Sequence, residues 1–122
     1  MADEQDYETR ISEEADILRV MLRGKREFGR SRRVVALIRK TAEERGLTRV
    51  LLDTSALTES PPNEYRFALG ELLATEWRGL RVAVVNPVEA GHGFVETVAV
   101  NRGATTRIFK TQDSAMEWLR LD

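Results

Sequence analysis

A serine, threonine or aspartate side chain becomes a useful nucleophile only with a base within hydrogen-bond reach, and this chain of 122 residues offers a single histidine. His92 stands between Gly91 and Gly93, a poor mount for a base, and reads as a loop residue. No nucleophile–base pair can be named, so the sequence predicts no enzyme. One histidine without any cysteine also falls short of the convergent ligands that a transition-metal site needs. No spaced run of Asp, Asn and Gly resembles a calcium loop, and neither a metal nor a cofactor is expected. The Gly91-x-Gly93 pair lacks the third glycine of a phosphate-cradling turn and reads as an ordinary turn.

What remains is recognition of charge and surface. Lys25, Arg26, Arg30, Arg32 and Arg33 crowd the start of the first expected helix, where positive charge opposes the helix dipole at a cost of roughly a few tenths of a kcal/mol each. A bound anion offsets that cost. Arg26, Arg30, Arg32 and Arg33 therefore form a candidate anion site for a phosphate, an anionic lipid headgroup or an acidic partner surface. A plainer explanation stays open. Residues 1–16 hold seven acids against one arginine and residues 19–49 eleven bases against three acids, so the acidic front of the chain can neutralise the basic stretch. A net charge of −1 lacks the basic excess of a nucleic-acid-binding domain, and no nucleic acid is expected as a partner.

The stretch from Asp53 to Ser60 reads as a loop at the carboxyl end of a central strand, where open α/β sheets place their ligands. Asp53, Thr54, Ser55 and Thr58 are the candidate ligand or partner residues. A phosphoryl group on Ser60 or Thr58 would face the free amides and positive dipole of the next helix start. The same side chains could instead satisfy turn amides.

The elements that must position these residues are punctuated three times by Arg-Gly: at Arg45-Gly46, Arg78-Gly79 and Arg102-Gly103, each followed by an arginine and an apolar run. Glycine just past a helix accepts the left-handed conformation that closes the last turn, and the preceding arginine suits the negative end of the dipole. Each copy marks a helix-to-strand junction, and such junctions in series write a mainly parallel sheet. Period-two patterning around Tyr7–Ile11 and Leu18–Leu22 adds an amino-terminal antiparallel hairpin turning over Glu13–Asp16. Strands are expected at 50–53, 82–85 and 107–110. Helices are expected near 29–45, with Val34, Leu37, Ile38, Thr41 and Ala42 as the buried stripe; 63–78; 94–99; and 114–121, capped by Asp113. The second helix is apolar around most of its circumference. Ala68, Leu72, Tyr65 and Leu69 form its main sector, extended by Leu73, Trp77, Gly70, Ala74 and Phe67, with Glu71, Thr75 and Arg78 as the polar strip. A helix on a sheet needs an apolar arc of little more than 100°. The excess predicts either cover by the neighbouring helix or the terminal helix carrying Trp118, or a homodimer or partner contact centred on Phe67, Gly70 and Ala74. The length suits one domain over 1–122 with a flexible acidic start at 1–6, able to bury about two-thirds of its unfolded surface. The acidic start and the lack of a membrane-length apolar run predict a cytoplasmic protein.

In order of elements the chain resembles the STAS domain of anti-sigma-factor antagonists, and more narrowly the SpoIIAA-like group of small bacterial proteins. The resemblance is carried by Leu51-Leu52-Asp53-Thr54, Arg66-Phe67-Ala68-Leu69-Gly70-Glu71, Val82-Ala83-Val84-Val85, Phe94-Val95-Glu96-Thr97-Val98-Ala99, Asn101-Arg102-Gly103, Arg107-Ile108-Phe109 and the closing Ala115 and Trp118-Leu119. It implies a five-stranded α/β fold with about four helices and a non-catalytic regulatory role through an unidentified protein partner. In the antagonists an Asp-Ser-Ser-Gly stretch at the start of the corresponding helix carries a regulatory phosphoserine, and the surface around it docks a kinase-type anti-sigma factor. The matching stretch here is Thr58-Glu59-Ser60-Pro61-Pro62, in which Ser60 alone inherits the acceptor role and prolines replace the second serine and the glycine.

Overall fold

The first turn is made by two residues with positive φ, Ala15 at 49° and Asp16 at 64°, a two-residue link whose twist suits a hairpin. Across it β1 (Glu8–Glu14) folds antiparallel onto β2 (Ile17–Lys25), from Glu14 opposite Ile17 to Glu8 opposite Arg23. The computed structural model describes residues 6–59, 62–88 and 105–121. After the hairpin come α1 (Phe28–Arg45), β3 (Arg49–Thr58), α2 (Asn63–Glu76), β4 (Arg81–Val85), β5 (Thr105–Phe109) and α3 (Gln112–Leu119). The sheet runs β1-β2-β3-β4-β5, with every pair from β2 to β5 parallel. This is the mixed five-stranded α/β architecture that the sequence predicts. Three helices, rather than about four, stand among the described residues; the one expected at 94–99 lies outside them, as do Gly91, His92, Gly93 and the Arg102-Gly103 junction.

The other two junctions behave as their glycines require. Gly46 has φ 66° and Gly79 φ 85°; past the end of α1 the Leu47 N–H reaches the Ala42 carbonyl at 2.9 Å, closing the carbonyls that the helix leaves open. A Cβ added at Gly46 would meet nothing within 4 Å, so Gly46→Ala should cost only the left-handed backbone penalty, about 1 kcal/mol. Urea denaturation reads this directly, and no loss of stability would place the helix end elsewhere.

Two cores sandwich the sheet. Leu18, Val20, Leu22, Val50, Leu52 and Val82 face α1 and α2, meeting Val35, Ile38, Leu73 and Trp77. On the other face Ile17, Leu51, Ala83 and Val85 are covered by Ala115, Met116 and Leu119 of α3. Trp118 packs at the rim of that second core, so α1, not the terminal helix, is the neighbour that meets α2.

Several sequence expectations shift in detail. Leu37 is 40% exposed, and the buried stripe of α1 uses Val35 instead. The α3 cap is Thr111, whose hydroxyl accepts the Ser114 N–H, rather than Asp113. The largest change is in β3, which runs on to Thr58. Between Met21↔Asp53 and Arg23↔Ala56, β3 spends one residue more than β2. This bulge at Thr54-Ser55 breaks the period-two pattern, which is why a bulged strand reads as a loop.

Candidate functional site

The carboxyl halves of β2 and β3 and the residues just past β4 form a cleft at the edge where such folds place their ligands. It is lined by Arg26, Ser55, Leu57, Glu59, Asn86 and Val88 and has a volume of about 320 Å³. Its floor is a polar knot. The buried Asn86 amide donates to the Thr54 hydroxyl at 2.8 Å, its oxygen accepts the Val88 N–H at 3.1 Å, and its own N–H reaches the Phe109 carbonyl at 2.9 Å. One residue, through its side chain and its backbone N–H, thus ties the bulge of β3 to the ends of β4 and β5. Asn86-Pro87 marks the strand end in the sequence, but the pairing with Thr54 crosses 32 positions and has no local signal.

The candidate ligand residues do not converge. Asp53 and Thr54 are buried, Ser55 and Thr58 exposed. Asp53 points to the α3 side, where its carboxylate accepts from the Gln112 amide at 2.8 Å and from the Ser55 N–H at 2.9 Å. Thr58 bonds weakly back to the Gly24 carbonyl at 3.4 Å. Four of the five lie on a strand rather than in a loop, and the fifth, Ser60, lies outside the described residues. The rim of the cleft is Glu59, a non-glycine residue with φ 68°, a backbone conformation that costs energy and is held by its surroundings. Those surroundings are the Lys25 ammonium, 3.6 Å from the Glu59 carboxylate, and the Arg26 Nε, which donates to the Glu59 carbonyl at 3.0 Å. Among the described residues the start of α2 at Pro62 has no side-chain cap.

The arginine cluster is dispersed in the same way. Arg30 donates to the Lys25 carbonyl and Arg33 pairs with Asp6, while Arg32 is exposed on α1; only Arg26 reaches the cleft. The α1 start already holds an anion, because the Glu27 carboxylate caps it by accepting the Arg30 N–H at 2.8 Å. The acidic front of the chain pairs with the basic stretch through Asp6–Arg33, Glu8–Arg23, Glu13–Arg45 and Glu14–Arg19, as the plainer explanation requires.

Helix α2 also differs from expectation. Gly70 and Ala74, read as parts of an exposed contact with Phe67, are buried; Phe67 itself is 41% exposed. The deepest arc holds Arg66, Gly70, Leu73, Ala74 and Trp77, while Ala68, Leu69 and Leu72, the main predicted sector, are only partly covered. The helix is fastened to α1 at both ends. Near its start the Tyr65 hydroxyl bonds Ser31 Oγ, which meets the Tyr7 hydroxyl at 2.8 Å, and the Tyr65 ring stands edge-on to Phe28 with centroids 5.3 Å apart. At its end the Trp77 Nε1–H donates to the Val35 carbonyl at 3.2 Å, and Arg39 reaches the carbonyls of Glu76 and Arg78.

Burial, reinforced by Tyr7 and opposed by the Ser31 hydrogen bond, pushes the Tyr65 phenol from 10.0 up to about 12. The unfolded chain therefore loses this proton first, and stability present below pH 10 is given up as pH rises towards 12, by about 1–2 kcal/mol after allowing for the ring's partial exposure. Tyr65→Phe should remove that fall. Denaturant titrations of both proteins through this pH range test it, and identical slopes would refute it.

A five-stranded mixed sheet led by a hairpin, with α1 and α2 fastened together on one face and α3 on the other, is a STAS or SpoIIAA-like fold. Two solved structures share it across nearly their whole length. One is an anti-sigma factor antagonist from Mycobacterium paratuberculosis, with a TM-score of 0.58, 15% identity, and 99% of this chain and 100% of that chain covered. The other is an uncharacterised DUF3478-family protein with a SpoIIAA-like fold from Shewanella loihica PV-4, with a TM-score of 0.55, 15% identity, and 93% and 94% covered. No protein-family model and no curated protein matches the chain. Among the described residues no helix is long and apolar enough to cross a membrane.

Proposed function

We propose that the chain is a non-catalytic regulatory module that docks a protein partner through the carboxyl end of β3, residues 53–62, and the amino half of α2. The observation that carries this reading is the start of α2. Its cap supplies no side-chain hydrogen bond, it follows a strained turn held by Lys25 and Arg26, and the exposed Phe67 lies on its first turns. Uncapped amides at a helix start favour an added negative charge, so phosphate on Ser60 would change what this surface binds. The likeness in fold to an anti-sigma factor antagonist supports a partner of that regulatory kind, and Phe67 supplies the apolar anchor for it or for a second copy of the chain.

Size-exclusion chromatography with light scattering tests self-association. Wild type should show a mass twice the 13.9 kDa of the chain, and Phe67→Glu should return the monomer. A monomer in both removes the dimer. The partner-docking reading then rests on phosphosite mapping of the native protein, where phosphate absent from residues 53–62 counts against it.

A second reading, binding of a small anion or lipid, is favoured by one observation. Of the four arginines first grouped, Arg26 lines the cleft, and its charge has no carboxylate partner among the described residues.

A further inference from the structure

Among the described residues the core beneath α2 is incompletely filled. An almost wholly apolar space of about 70 Å³ lies between the two fastened helices and the sheet, walled by Leu52, Leu69, Leu73, Trp77 and Val84. Arg26 and Leu57 line both this space and the outer cleft. The two are therefore neighbours of similar openness, one almost wholly apolar, the other lined by polar and apolar groups together, with Arg26 at their common edge. Among the described residues the Arg26 side chain donates only through its Nε, to the Glu59 carbonyl, which leaves its terminal nitrogens available to an anion in the cleft.

We infer that the two spaces form one site for a small amphipathic anion. The headgroup lies in the outer cleft against Arg26, and a short aliphatic tail passes Leu57 into the space beside Trp77. This rests on the second reading above, narrowed from four arginines to one, and adds the tail. The charge of Arg26 selects an anionic head, since a charge-assisted hydrogen bond is stronger than a neutral one. The volume limits the tail. A space of 70 Å³ is about half of a cavity that accepts benzene, so only the last few carbons are enclosed, and a long acyl chain gains nothing from its further length. An occupant would brace the underside of α2, the helix whose amino half carries Phe67.

The test is calorimetric titration of the full chain with straight-chain carboxylates from acetate to decanoate, with inorganic phosphate as a head without a tail. Affinity should rise about fourfold per added methylene, the ratio expected for burying one such group, and then level off at medium length. The fluorescence of Trp77 should change with the bound tail but not with phosphate. Arg26→Gln should weaken every carboxylate about tenfold and leave the alcohol of equal length unchanged, while Arg26→Lys should retain most of the affinity. An alkyltrimethylammonium of the same length should bind wild type more weakly than the carboxylate, which keeps the charge argument testable if Arg26→Gln does not fold. Arg26-dependent binding of phosphate and acetate without any gain from chain length would overturn this inference while the second reading stands. Absence of binding by every anion would overturn both.

Discussion

Replacing Trp77 with alanine is expected to remove about 3–5 kcal/mol of folding stability, a large share of the roughly 5–15 kcal/mol that a domain of this size possesses. The indole is the largest fully buried side chain among the described residues, 1% exposed. It joins α2 to α1 through the Val35 carbonyl while its ring fills the core against the sheet. Truncation loses the transfer energy of the ring and leaves a hole, and here the hole opens onto a space that is already underfilled. Neighbouring side chains that lack a close wall cannot collapse to fill it, which places the expected loss at the upper end of the range for such substitutions. Trp77→Phe keeps most of the area but not the hydrogen bond and should cost about half as much, roughly 2 kcal/mol. Leu37→Ala, at the 40% exposed position on α1, should change stability by no more than about 0.5 kcal/mol. Urea unfolding followed by circular dichroism measures all three. A Trp77→Ala protein as stable as Leu37→Ala would mean that α2 does not depend on this anchor.

How much of this was legible in the sequence depends on how local each cause is. Gly46 and Gly79 declare left-handed helix ends at the very residues that adopt them, so the alternation of helices and strands, and with it the parallel sheet, could be read directly. The hairpin was equally local, because seven cross-strand pairs follow one two-residue turn. The carboxyl half of β3 was not legible, since the bulge beside Asp53 depends on β2 and nothing within 53–58 announces it. Helix α2 failed differently. With apolar residues nearly all round, its sequence offers no preferred face, and the choice is made by where Val35, Ser31 and Arg39 of α1 accept or supply a bond. The arginines near the start of α1 looked like a ligand site because their partners are distant in sequence: Asp6 is 27 positions from Arg33, and Glu59 is 33 from Arg26. Glu27, one residue ahead of the helix, is local enough to signal the anion already in place, but it is not among the Ser, Thr, Asp and Asn types that mark a helix cap.

Asp53→Ala should destabilise the chain by about 2 kcal/mol, through α3 rather than through a ligand. The Asp53 carboxylate is 9% exposed and divides its oxygens between two donors, the Gln112 amide at the start of α3 and the Ser55 N–H at the bulge. Gln112 in turn accepts from Arg19 at 2.8 Å, and Arg19 holds Glu14 at 2.6 Å. A line of polar contacts thus runs from the hairpin to the first turn of α3, across a face that is otherwise apolar at Ile17, Leu51 and Ala83. Alanine deletes the acceptor and leaves a partly buried amide and a backbone N–H without it, and the penalty for such stranded donors exceeds the net worth of the bonds themselves. Asp53→Asn retains an acceptor oxygen and should lose less, about 1 kcal/mol. In a double-mutant cycle with Gln112→Ala the two losses should fall short of their sum by at least about 0.5 kcal/mol, because both delete the same contact. Hydrogen exchange should show faster opening of α3 in Asp53→Ala while α1 stays protected, as expected if α3 opens as a unit of its own. A variant that keeps full stability and loses only binding at the cleft would return Asp53 to the ligand-contacting role its position in the sequence suggested.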